Sequence, residues 1–84
     1  MLRARVVGNV WTTRKVDGIP GGAFLEVEVD GTGGRLVALD VLGCGVGEHV
    51  LVATGSVAAA QFAGKPPPVD ALIIGSIDPV ASDS

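Results

Sequence analysis

The stretch Ala38 to Ser56, ALDVLGCGVGEHVLVATGS, restricts the possible folds more than any other part of the chain. Val37 and Leu39 fall on one side of a strand that ends in the carboxylate of Asp40. Gly43, Gly45 and Gly47 then alternate with Cys44 and Val46, and Val50-Leu51-Val52-Ala53 resumes as an apolar strand before Gly55-Ser56 turns the chain. Alternate glycines admit positive φ and let a second chain approach the backbone. A dinucleotide-binding loop needs a helix directly after its glycines, so that the helix N-terminus faces the pyrophosphate. Here Glu48-His49-Val50-Leu51-Val52 continues as a strand, which sets the phosphate-cradle reading aside.

The flanking sequence supplies three more strands. Leu2 to Thr13 alternates with Leu2, Ala4, Val6 and Val10 on one face and Arg3, Arg5, Val7, Asn9 and Trp11 on the other. Gly8 in its middle predicts a bend or bulge, of the kind a small barrel needs at a corner. After a loop at residues 17–22, Ala23, Leu25, Val27 and Val29 point inward while Glu26, Glu28 and Asp30 point out. The two glutamates are the wet face of that strand rather than an acid/base pair. Residues 30–34 form a hairpin connection, and Arg35 to Leu39 returns as the third strand.

Ser56 is a suitable N-cap for a helix of about two turns over residues 57–63, ended by Gly64, with Phe62 as its anchor. The prolines at 66–68 cannot join a sheet ladder in its interior. Val69 to Asp78 is the last strand, with Ala71, Ile73 and Ile77 on one face and Leu72 and Ile74 on the other. A strand apolar on both sides in an all-β domain suggests one face in the core and the other against a neighbouring subunit. The fold class is therefore all-β: a small five-stranded OB-like barrel with one short helix before the last strand, a single domain over 1–84 with a short polar tail at 79–84.

Composition narrows the function. At 84 residues, hydrophobic gain and an ordering cost of about 1.5 kcal/mol per residue nearly cancel. Disulfides, metals or oligomerisation usually supply the difference. One cysteine forbids an intrachain disulfide, and one histidine beside it forbids a His/Cys metal cage within one chain. Oligomerisation remains. A net charge of -3 argues against nucleic acid or an anionic membrane as partner. Cys44 near His49 lacks an orienting group and oxyanion donors, so no catalytic role follows. Asp40, Asp70 and Asp78 at strand ends are better read as turn caps or as bonds to backbone N–H groups across an interface.

Four segments in order resemble the EutN/CcmL family, the vertex proteins of bacterial microcompartment shells. They are residues 8–15 (GNVWTTRK), 38–51 (ALDVLGCGVGEHVL), Gly55-Ser56, and 68–78 (PVDALIIGSID). The resemblance implies a homopentamer that caps shell corners among hexameric and pseudohexameric shell proteins in the bacterial cytoplasm, with no enzyme activity, cofactor or metal. It implies that Gly43, Cys44, Gly45, Val46 and Gly47 lie near the five-fold axis or a subunit interface. Asp40, Val69, Asp70, Leu72 and Ile74 then belong to the subunit interface, and Thr13, Arg14, Lys15, Gly55, Ser56 and Lys65 to the hexamer contact. The family's Gly-Ser-Ser-Ala-Arg element departs here to Gly55-Ser56-Val57-Ala58-Ala59-Ala60, and no arginine follows Arg35. If that arginine helps grip the adjoining hexamer, Lys65 or the Arg14-Lys15 pair are the candidates to replace it.

Two other readings stand beside this one. An OB-type module for single-stranded nucleic acid needs stacking aromatics on a basic groove. Aromatics make up only 4% of the chain, and Trp11 with Arg14 and Lys15 is the sole candidate footprint. A co-chaperonin-like ring is suggested by Gly47-Glu48-x-Val50, but residues 15–23 are short for a mobile loop.

Overall fold

In a computed structural model the described residues are 1–12, 14, 19, 21–55, 58, 60 and 69–77. Five strands form β1 (Leu2–Val10), β2 (Ala23–Val29), β3 (Arg35–Asp40), β4 (His49–Thr54) and β5 (Ala71–Ile77). They close into a barrel in the order β1-β2-β3-β5-β4. All neighbours are antiparallel except β3 and β5, which run parallel and pair only at Leu39 and Leu72. The five-stranded barrel expected from the pattern is present, with strand ends moved by one to three residues. β1 stops at Val10, so Trp11 and Thr12 leave the sheet, and Thr13 lies outside the described residues.

Closure requires corners, and two irregularities provide them. The β1–β2 register shifts between Val6 and Gly8, where the glycine predicted a bulge. An extra residue reverses the facing of everything beyond it. Val6 pairs with the inward Val27, but beyond the shift Asn9 pairs with Leu25 and Val10 with Phe24. Val10 therefore does not share the face of Leu2, Ala4 and Val6, as simple alternation required. The second shift, between Leu51 and Val52, acts on β5 in the same way. Val52 pairs with Ile73, whereas Val50 pairs with Ser76 and His49 with Ile77. Ile77 thus moves off the face of Ala71 and Ile73, and Ser76 takes its place.

The barrel interior is filled by Ala4, Val6, Leu25, Val27, Ala38, Val50, Val52, Ala71 and Ile73. Small residues on β1, β3 and β5 match the narrow bore of a five-stranded barrel, which side chains alone can fill. Ala23 has the inward phase but is exposed at the strand's start. A second cluster of Leu39, Ala53, Ala58 and Leu72 packs on the outer side of the sheet, with Phe24, Val69 and Ile74 against it.

This second cluster bears on the reading of β5 at Leu72. Its outer face was expected to need a neighbouring subunit, yet Leu72 is only 4% exposed within a single chain. Fully buried Ala58 belongs to the cover. The Ala58 amide donates to the Gly55 carbonyl at 3.1 Å, and the Gly55 amide to the Asp70 carbonyl at 2.6 Å. These bonds tie the turn after β4 to the start of β5. The expected helix over 57–63 falls outside the described residues apart from Ala58 and Ala60, and Phe62 lies outside them.

Candidate functional site: the loop between β3 and β4

The loop of residues 41–48 is built on one carboxylate. Asp40 shares the inward phase of Ala38 and is 3% exposed, the one buried charged side chain among the described residues. Its Oδ1 accepts from the Leu42 amide at 3.0 Å, and its Oδ2 from the amides of Gly43 at 3.2 Å and Cys44 at 2.7 Å. A buried carboxylate is tolerated when several donors replace its water. Asp40 thus caps a turn of its own chain, one of the two roles expected for it.

Beyond Cys44 the loop returns to β1. The Gly47 amide donates to the Val6 carbonyl at 2.8 Å, and the Val6 amide to the Glu48 carbonyl at 2.9 Å. Gly43 and Gly47 take positive φ, at 87° and 93°, where a Cβ is disfavoured. Gly45 is not among the positive-φ glycines, so only two of the three alternate glycines serve the backbone in that way. Glycine is also required at a position the sequence did not single out. Gly22, at φ 149°, has its Cα against β3, and an added Cβ would collide with the Asp40 carbonyl oxygen.

The surroundings of Cys44 disfavour a thiolate. Cys44 packs against the inner cluster, and burial together with the nearby carboxylates of Asp40 and Glu48 pushes its thiol up to about 11. A nucleophilic cysteine needs the opposite environment. No group of three His, Cys, Asp or Glu side chains converges among the described residues.

The surface of the loop is apolar instead. Val41, Leu42 and Val46 are 46%, 55% and 60% exposed, and no residue from Val41 to Gly47 carries a formal charge. Next to the loop, a recess of about 220 Å³ is lined by Asn9, Val10, Trp11, Thr12, Gly22, Ala23 and Phe24. Trp11, one of these lining residues, is 87% exposed. No residue pattern marks this recess, which is lined by β1 beyond its register shift and by the backbone at Gly22 that approaches Asp40.

The remaining expected site residues are dispersed. Val69 and Ile74 are half-buried at the outer cluster, and Asp70 is exposed, with its backbone carbonyl engaged by Gly55. Gly55 and Arg14 are exposed. Thr13, Lys15, Ser56 and Lys65 lie outside the described residues, as does Asp78. On the outside of the barrel Arg35 bridges Glu26 and Glu28, each at 3.6 Å, which confirms the glutamates as a solvated face.

The family profile described as "Ethanolamine utilisation protein EutN/carboxysome" matches residues 1–78. The chain belongs to the EutN/CcmL family. Its members include the carboxysome shell vertex protein CcmL of Thermosynechococcus vestitus, 38% identical over 89 aligned residues that span 100% of this chain and 90% of that protein. The bacterial microcompartment shell vertex protein PduN of Salmonella typhimurium is also 38% identical, with 93% and 96% of the two chains covered. Among solved structures, a pentameric shell protein from the RMM microcompartment superimposes with a TM-score of 0.88 at 73% identity, over 92% of this chain and 100% of that one. These relatives are structural shell components, and the nucleic-acid alternative gains nothing from them.

Proposed function

We propose that this protein is a vertex subunit of a bacterial microcompartment shell, five copies closing into a ring that caps a corner. The observation that carries the reading is the 73% identity and 0.88 TM-score to a pentameric shell protein over that protein's full length. The mechanism is geometric. A flat sheet of hexamers cannot close, and a five-fold unit at each corner supplies the missing curvature. The chain's part is to present a rigid wedge, and a barrel without free sheet edges, its corners fixed by two bulges, is suited to that task.

In this reading the loop held by Asp40 contributes to contacts between copies, Val69, Asp70 and Ile74 lie at the rim of the ring contact, and exposed Arg14, with Lys15 and Lys65, faces the adjoining hexameric and pseudohexameric shell proteins. The assembly then resides in the shell, in the bacterial cytoplasm. Light scattering at micromolar concentration is expected to give the mass of about five chains. Co-expression with hexameric shell proteins is expected to yield closed polyhedral particles by electron microscopy, and open or elongated ones when this protein is omitted. A single-chain mass, or closed shells in its absence, refutes the proposal.

A further inference from the structure

We infer that Trp11 of one copy is covered by the β3–β4 loop of the next, so that Trp11 and Val46 mark the two halves of the ring contact. The inference rests on the ring reading above and specifies its contact surface.

Contacts in a ring are head-to-tail, so each copy must offer two different, complementary patches. The described surface holds two patches of that kind. The first is the recess at Trp11, none of whose seven lining residues carries a charge. The second is the stretch of the loop from Val41 to Gly47, equally without formal charge, on which Val46 and Leu42 project into solvent. Interface centres are depleted in charge and enriched in aromatic anchors, tryptophan among them. A tryptophan 87% exposed at the lining of a recess has the character of an interface anchor.

The loop suits the partner's role. Open space surrounds the Cα atoms of Gly43 and Gly47, where a Cβ would meet no other atom within 4 Å. An indole can therefore lie directly on that backbone. Asp40 fixes the loop through three amides, so docking costs little further ordering. The alternative patch, the outer face of β5, is excluded at its centre because Leu72 is already covered by its own chain.

Trp11 is the only tryptophan of the chain, so its emission reports this contact alone. In the intact protein the expected spectrum is blue-shifted from that of the urea-unfolded chain and resistant to iodide quenching. Val46→Asp changes an exposed side chain of the loop. It is expected to shift the emission to the red, restore quenching and lower the mass by light scattering, while circular dichroism remains that of the barrel. Trp11→Ala, read by mass and circular dichroism, is expected to do the same to assembly. A five-chain mass with freely quenched Trp11 overturns this inference and leaves the ring intact. So does a Trp11 that becomes protected only after hexameric shell protein is added. A single-chain mass for the unmodified protein instead overturns the ring reading itself.

Discussion

Replacing Asp40 tests the mechanism that holds the loop. Asp40→Ala leaves the amides of Leu42, Gly43 and Cys44 without their acceptor. A hydrogen bond to a charged group contributes about 1.5–3 kcal/mol, and the three bonds are not independent because one carboxylate serves them all. Partial access of these amides to water lowers the cost further, so a loss of about 3–5 kcal/mol is expected. A domain of 84 residues has only about 4–13 kcal/mol in total. The substitution therefore removes from about a quarter to all of that stability. Asp40→Asn separates volume from hydrogen bonding. It keeps the shape but has one acceptor oxygen, and its amide nitrogen must face an N–H donor. About half the alanine effect is expected for it. The assay is urea unfolding followed by circular dichroism at one fixed protein concentration, because assembly adds a concentration-dependent term. Hydrogen exchange at residues 42–44 reads the same bonds directly. If Asp40→Asn is as stable as the parent while Asp40→Ala is not, the side chain acts by filling space, and the reasoning fails.

Other outcomes follow from the same geometry. Gly22→Ala forces a Cβ into the Asp40 carbonyl at a φ of 149°, and a loss of at least about 2 kcal/mol is expected by urea titration. Gly8→Ala, where a Cβ meets nothing within 4 Å, is the control and should change stability by less than about 1 kcal/mol. Leu25→Ala removes the largest class of side chain from the barrel interior and should cost about 2–5 kcal/mol, a near-zero change being incompatible with the packing described. Cys44, its thiol pushed up to about 11, should react with iodoacetamide at pH 8 at least about tenfold more slowly in the folded protein than in urea. Equal rates would place the thiol in solvent, away from Asp40 and Glu48.

What the chain determined alone is whatever depends on alternation and on backbone permission. The periods at residues 2–6, 23–29 and 35–40 mark strands because a pleated ribbon sends successive side chains to opposite sides. The glycines at 43 and 47 mark a loop because positive φ is costly for any other residue, and Asp40 at the strand end marks its cap. The family likewise could be read from four short segments in order. Tertiary structure alone decided the facing of Val10 and Ile77, because a single extra residue reverses the sides beyond it and no local pattern shows where pairing slips. It alone decided that Leu72 is covered from within, because the residues of that cluster come from β3, β4, β5 and Ala58. The recess at Trp11 is of the same kind. A strand pattern fixes which side chains leave the sheet together, but what meets them there is set by closure of the barrel.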